Sequence, residues 1–71
     1  MTTLTLKQQQ LANNLQAVEQ EKLNIAELEA TLATTTDAAA KRVLKYRIKI
    51  CRDFQRKYML NAQACQRYIN E

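Results

Sequence analysis

Two cysteines have the most versatile side chains in this sequence, because a thiol can form a disulfide, bind zinc or act as a nucleophile. Cys51 and Cys65 stand fourteen residues apart, and on one helix that separation is about 21 Å at 1.5 Å per residue. The span is too long for a disulfide within one straight helix. Zinc would need further soft ligands, and the sequence contains no His. The pattern favours free thiols that pack as small apolar side chains, with an intermolecular disulfide or a redox sensor as the alternative.

Basic side chains could supply a second kind of chemistry, the binding of phosphate. From Asp37 onward nine Lys and Arg stand against three acidic residues, a net of +6, whereas two Lys and four Glu give the first half a net of −2. A basic helix face is typical of nucleic-acid binding and also suits an anionic membrane surface. The candidate phosphate-binding residues are Lys41, Lys45, Lys49, Arg52 and Arg56. Because the aromatic residues lie on the opposite side of the same predicted helix, they cannot stack on bases beside those phosphates.

The composition disfavours catalysis. The sequence contains neither His nor Ser, so it lacks a near-neutral acid–base group and a serine nucleophile. It also contains no Gly, which phosphate-cradling loops require. We therefore expect no enzyme, no cofactor and no metal.

Two apolar stripes with a seven-residue repeat indicate the elements that carry these side chains. A strict repeat of seven keeps one seam of an α-helix against another helix in a left-handed coiled coil. The segment Thr34–Asp37 separates the stripes, and its β-branched threonines disfavour a helix interior. Thr35 or Thr36 is expected to cap the second helix, with Asp37 in its first turn. The first stripe consists of Leu4, Leu11, Val18, Ile25 and Leu32, and the second of Leu44, Cys51, Tyr58 and Cys65.

The fold expected is all-α: one domain over residues 1–71, a two-helix antiparallel coiled-coil hairpin that associates into a helical bundle. Helix 1 should span about 3–34, the turn about 34–37 and helix 2 about 38–70. On a helical wheel Asn14, Lys22 and Glu29 point into the apolar arc of helix 1, with Lys7 and Glu21 near its edge. The residues expected to form the hairpin core are Leu11, Val18, Ile25, Leu32, Leu44, Cys51 and Cys65.

Opposite charges are expected to meet across the hairpin. If the chain turns near Thr35, residue i faces residue 70 − i. Glu29 then lies opposite Lys41 and Glu27 lies near Arg42. The same rule places Glu21 beside Lys49 and Arg47. Exposed pairs of this kind contribute only about 0.2–1 kcal/mol each, so they select the pairing more than they stabilise it.

The apolar arc of helix 2 is wider than the stripe that helix 1 offers, so apolar surface should remain for a protein partner. The residues of this arc are Ala40, Val43, Leu44, Ile50, Cys51, Phe54, Tyr58, Cys65, Tyr68 and Ile69. Domains of this size rarely obtain more than about 3–5 kcal/mol from a single core without disulfides, metal or association. The expected partner-binding residues are Phe54, Tyr58, Tyr68 and Ile69. The partner is expected to be a second copy, giving a four-helix bundle, or a larger helical protein. The alternative is that all four side chains pack on helix 1.

The chain is expected to be cytoplasmic and to lack a transmembrane segment. The opening Met1–Leu6 has no basic start, and polar residues follow it at once, unlike a secretion signal. No apolar run approaches the roughly twenty residues that a membrane-spanning helix needs. Two free thiols agree with a reducing compartment.

The opening Met1-Thr2-Thr3-Leu4-Thr5, the later Leu11, Leu28-Glu29 and Leu32, the polar turn and the second amphipathic helix resemble the small co-chaperones of bacterial type III secretion needle proteins. The resemblance covers the whole chain as a pattern, but only the first five residues match as letters, and the strongly basic second helix departs from it. It implies a cytoplasmic helical hairpin that joins a larger helical-repeat chaperone to keep the needle subunit unpolymerised.

We therefore expect a non-enzymatic protein–protein interaction module, an adaptor or co-chaperone subunit that binds a helical partner. The alternative is a small basic nucleic-acid-associated or regulatory protein of a phage-like kind.

Overall fold

The structure, a computed structural model, describes residues 2–71 and consists of two α-helices that pack side by side. Helix α1 spans Thr3–Thr34 and helix α2 spans Ala38–Asn70. The expectation of an all-α helical hairpin is confirmed. Met1, the first residue of the opening segment discussed above, lies outside the described residues.

Polar caps define where each helix begins. The Thr2 hydroxyl accepts a hydrogen bond from the Thr5 backbone N–H at 3.1 Å, and Asp37 Oδ2 accepts one from the Ala40 N–H at 2.9 Å. Asp37 is thus the N-cap of α2, and the expectation that Thr35 or Thr36 would cap it is wrong. The Thr35 hydroxyl instead donates to the Thr31 carbonyl at 2.6 Å, at the end of α1. A carboxylate is among the best N-cap groups because it accepts helix N–H bonds and favours the positive end of the dipole.

One side of α1 forms its half of the helix–helix seam. The apolar residues Leu11, Val18, Ile25 and Leu32 follow the seven-residue repeat there, and Val18 is buried. A second seven-residue repeat on α1 contributes four more half-buried residues to the same seam, Lys7, Asn14, Glu21 and Leu28. The three nearest the free end of the hairpin are polar, and Leu28, nearest the link, is apolar. The helical wheel placed Lys22 and Glu29 within the apolar arc of helix 1, but both are exposed, so that expectation is wrong. The apolar residues Leu4 and Leu15 are exposed as well.

The seam of α2 also follows two interleaved heptads, but not all of its members were expected. Leu44, Cys51 and Tyr58 are half-buried and Cys65 is buried. The interleaved positions are Ile48, Gln55, Ala62 and Ile69, of which Ile48 and Ala62 are buried. Ile48 is 6% exposed, and it was missing from the expected apolar arc.

Three side-chain contacts fix how the helices are aligned. Arg52 Nη2 lies 3.0 Å from Glu29 Oε1, and Cys65 Sγ lies 3.9 Å from Gln10 Oε1. Near the free ends the Lys7 Nζ atom sits 5.3 Å from the centre of the Tyr68 ring. The expected alignment requires the two residue numbers of a contact to add to 70, but these add to 81, 75 and 75. The alignment expected from a turn near Thr35 is therefore wrong.

The ion pairs expected from that alignment are accordingly not formed within residues 2–71. Glu29 pairs with Arg52 rather than Lys41, and Glu21 lies beside Cys51 rather than reaching Arg47. The link 35–37 is centred on Thr36, and helical side chains lean towards the N-terminus of their own helix. In an antiparallel pair this lean carries Glu29 away from the turn and Arg52 towards it.

The molecule is a single layer of two helices. Its Cα atoms span 52 × 16 × 13 Å, so both broad faces of the hairpin are open to solvent. The buried side chains among the described residues are Val18, Ile48, Ala62 and Cys65. Two of these four are small, which leaves little core for a chain of this length.

Candidate interaction surface

A row of large apolar side chains lies uncovered along one side of α2. Val43, Tyr46, Ile50 and Phe54 are spaced by three, four and four residues, so they form one stripe on the helix, which we call the aromatic flank. Tyr46 is 63% exposed, Val43 53% and Phe54 44%, and Ile50 is half-buried. Contiguous apolar side chains of this size on a small protein mark an interaction site more often than isolated ones do.

The four residues expected to bind a partner do not form one exposed surface. Phe54 is exposed on the aromatic flank, and Tyr68 is exposed near the end of α2. Tyr58 and Ile69 are half-buried at seam positions. The Phe54 and Tyr58 rings lie near each other, with centroids 6.3 Å apart and an interplanar angle of 23°, so Tyr58 supports Phe54 from the seam side.

Sequence reasoning missed Tyr46 as a member of the exposed surface. Val43 and Ile50 belonged to the expected apolar arc but were assigned no partner role. The signal was available, because Val43, Tyr46, Ile50 and Phe54 have the i, i+3, i+7, i+11 spacing of a helix stripe distinct from the heptad seam.

A groove between the helices adjoins the aromatic flank. It has a volume of about 410 Å³ and an apolar lining of Leu28, Ile50 and Cys51. Its other lining residues are Asn24, Glu27, Thr31 and Arg47. A smaller depression of about 270 Å³ on the outer side of α2 lies among Ile50, Asp53, Phe54 and Lys57. Ile50 therefore borders both depressions and joins them into one continuous surface.

The five candidate phosphate-binding residues are all exposed, on the side of α2 away from the aromatic flank. We call this set, Lys41, Lys45, Lys49, Arg52 and Arg56, the basic flank. Lys49 lies 3.9 Å from Asp53 Oδ2, and Arg52 forms its 3.0 Å pair with Glu29. A groove of about 630 Å³ runs beside this flank, and its lining includes Glu29 and Asp53 together with Lys45, Lys49 and Arg52. Carboxylates thus neutralise part of the basic flank.

The cysteines take part in the seam as free thiols. Burial raises the pKa of the Cys51 thiol, and the neighbouring Glu21 carboxylate raises it further through hydrogen bonding and negative charge. A thiol with a raised pKa stays protonated and is a poor nucleophile at neutral pH. The Glu21 Oε2 atom is buried and has no hydrogen-bond partner within residues 2–71.

No grouping of three His, Cys, Asp or Glu side chains suited to a metal ion occurs in the part of the chain that the structure describes. Neither α1 nor α2, as described, combines the length and the apolar character that a membrane crossing requires.

Comparisons with known proteins return no similar protein for this chain. No family model matches it, and neither a curated protein nor a solved structure shows significant similarity.

Proposed function

We propose that this hairpin is a non-enzymatic protein-interaction module, an adaptor or chaperone-like subunit, whose aromatic flank docks on a helical partner. The observation that carries the proposal is the exposure of Val43, Tyr46 and Phe54 in one row beside the half-buried Ile50. Aromatic and aliphatic side chains in such a row are the usual anchors of helix-in-groove recognition. The small core supports the same proposal, since a partner would bury apolar surface that the hairpin leaves in water.

Affinity purification from the native host tests this proposal. The double variant Tyr46→Ala/Phe54→Ala should lose a protein that the wild-type chain retains, while its circular dichroism stays helical. The matched control is Leu23→Ala/Leu60→Ala, which removes two equally exposed apolar side chains away from the flank. Equal recovery of every co-purified protein with both double variants would count against the aromatic flank.

The specific form of the proposal comes from the resemblance to type III needle co-chaperones. In that form the protein works in the cytoplasm, and its partner is a larger helical-repeat chaperone that holds a needle subunit unpolymerised. Co-expression of the three proteins from the same host should give one complex in size-exclusion chromatography. Elution of the hairpin apart from the other two would reject this form and leave the general proposal standing.

A second candidate function is the binding of nucleic acid through the basic flank, favoured by five exposed cations on one side of α2. Lys41, Lys45 and Arg56 make no ion pair within residues 2–71 and would carry most of it. Fluorescence anisotropy with a labelled duplex should then weaken steeply with salt. Lys45→Glu/Arg56→Glu should abolish the binding, and a salt-independent affinity would contradict the electrostatic mode.

A further inference from the structure

We propose that the partner seated on the aromatic flank is an amphipathic helix of another protein, with apolar anchors at i, i+3/i+4 and i+7 and with acidic side chains beside them. This inference rests on the proposed function and specifies its ligand. It follows from the shape of the surface, the charges around it and the poor fit of a second copy.

The shape of the surface fits a helix. From Val43 to Phe54 the flank extends about 16 Å at 1.5 Å per residue, the length of three helical turns. The groove lined by Leu28, Ile50 and Cys51 runs alongside it between α1 and α2. Both helices satisfy their own backbone hydrogen bonds, so the hairpin offers no strand edge to an extended peptide. A helical partner satisfies its own backbone as well and buries its apolar stripe in this groove.

The charges next to the flank include one cation on each side of Ile50, on a helix whose net charge is strongly positive. Arg47 borders the interhelical groove and Lys57 borders the outer depression, one on each side of Ile50. Two carboxylates stand near these cations: Glu27 lines the same groove as Arg47, and Asp53 lines the outer depression but already lies 3.9 Å from Lys49. Acidic side chains on the incoming helix would therefore meet Arg47 and Lys57, which fixes the partner's orientation and speeds its encounter.

A second copy fits this flank poorly. Packing two aromatic flanks together would place one α2 against another, and the chain from Asp37 onward carries a net charge of +6. The five cations of the basic flank would point away from that contact, but Arg47 and Lys57 of both copies would border it. Like charges closer than the Debye length, about 10 Å at 0.1 M salt, are only partly screened and repel each other. The side of α1 that lines the groove consists of Asn24, Glu27, Leu28 and Thr31, so α1 of a second copy would bring no apolar row to match the flank.

Two synthetic helical peptides test the inference. Both carry leucines in the same i, i+3, i+4, i+7 pattern, and they differ only in having Glu or Lys at the flanking positions. In fluorescence anisotropy the wild-type protein should bind the Glu peptide at least about tenfold more tightly than the Lys peptide. Arg47→Glu/Lys57→Glu should reverse that preference.

The matched control is Lys45→Glu/Arg56→Glu, which lowers the net charge by the same amount but on the basic flank. It should keep the preference for the Glu peptide. If the control also reverses the preference, overall charge is responsible and the inference is wrong. Equal affinity of the wild-type protein for both peptides, or no binding of the Glu peptide at about 1 mM, which corresponds to only about −4 kcal/mol, also overturns it.

Two further measurements separate this inference from the proposed function. If sedimentation shows a wild-type dimer that Phe54→Ala dissociates, the occupant is a second copy and the inference fails while the interaction surface stands. If Tyr46→Ala/Phe54→Ala leaves binding of the Glu peptide unchanged, the aromatic flank is not the docking site and the proposed function loses its support.

Discussion

At the scale of single residues, the seam contains one carboxylate that packing does not satisfy. Glu21 places a buried oxygen without a hydrogen-bond partner next to the Cys51 thiol. A buried acceptor left unpaired costs about 1–3 kcal/mol. Polar groups at seam positions can select one alignment of two helices at a cost in stability. The observed alignment places Glu21 beside Cys51, and burial together with this carboxylate raises the pKa of the Cys51 thiol.

Alkaline pH is expected to destabilise the fold through Cys51. Its folded-state pKa is raised above the ordinary value of 9.0, whereas in the unfolded chain the thiol ionises at that value. The folded state therefore binds the proton more tightly. The resulting stabilisation is complete below about pH 9 and is lost as the pH rises through the folded-state pKa.

Urea unfolding under reducing conditions, followed by circular dichroism between about pH 7 and pH 10.5, measures this effect. The wild-type protein should lose more unfolding free energy over this range than Cys51→Ala, in which the titrating group is absent. Parallel pH profiles for the two proteins would show that Cys51 is not linked to folding.

At the scale of the helices, the sequence predicted the hairpin well because two independent signals coincide. The heptad of Leu11, Val18, Ile25 and Leu32 ends where the threonines begin, and the repeat resumes at Leu44. The link lacks glycine, and the structure needs none, since no residue of 2–71 has a positive φ.

The seam of α2 was harder to predict, and Ile48 shows why. A wheel drawn at 100° per residue drifts by about 20° per heptad from the 3.5-residue period that a supercoiled pair follows. Over the length of α2 this drift merged the seam with the neighbouring flank. Phe54 and Tyr68 were therefore grouped with Tyr58 and Ile69, whereas Ile48 was left out. Counting every seventh residue from Leu44, and again from Ile48, gives the seam residues and separates them from the flank.

Substitutions at Ile48 and Val43 test this assignment, because the two residues are similar in type and differ in burial. Ile48→Val should cost about 0.5–1.5 kcal/mol of unfolding free energy and Ile48→Ala about 2–5 kcal/mol. Val43→Ala removes an exposed side chain and should change stability by no more than about 0.5 kcal/mol. Urea unfolding of the purified variants gives the comparison, and equal losses at both positions would contradict the seam.

At the scale of the whole molecule, the seam changes character along its length. Next to the link it is made of Leu28, Leu32, Leu44 and Ile48. Towards the free ends the half-buried polar residues Lys7, Asn14 and Glu21 alternate with Leu11 and the buried Val18. Small residues, Ala62 and Cys65, face that polar half. Apolar burial is the main stabilising term, so the half near the link should be the more stable one.

Hydrogen exchange should reveal this gradient. Amides near Asn14 are expected to exchange faster than amides near Ile25, although both lie about ten residues from an end of α1. Glu21→Leu should slow exchange near Asn14, because it extends the apolar seam and removes the unpaired carboxylate. Uniform protection along α1, or slower exchange at the free ends, would contradict the gradient.

The same gradient determines how a newly made chain can close. While α1 leaves the ribosome its leucines have no partner, and closing a short loop costs the least entropy. The first pairs to form are therefore those flanking the link, Leu32 with the start of α2, and these are also the most apolar. Pairing then proceeds outward and reaches Lys7 and Tyr68 last. The most apolar contacts of the hairpin are therefore the ones that can form first, as soon as the start of α2 has been synthesised.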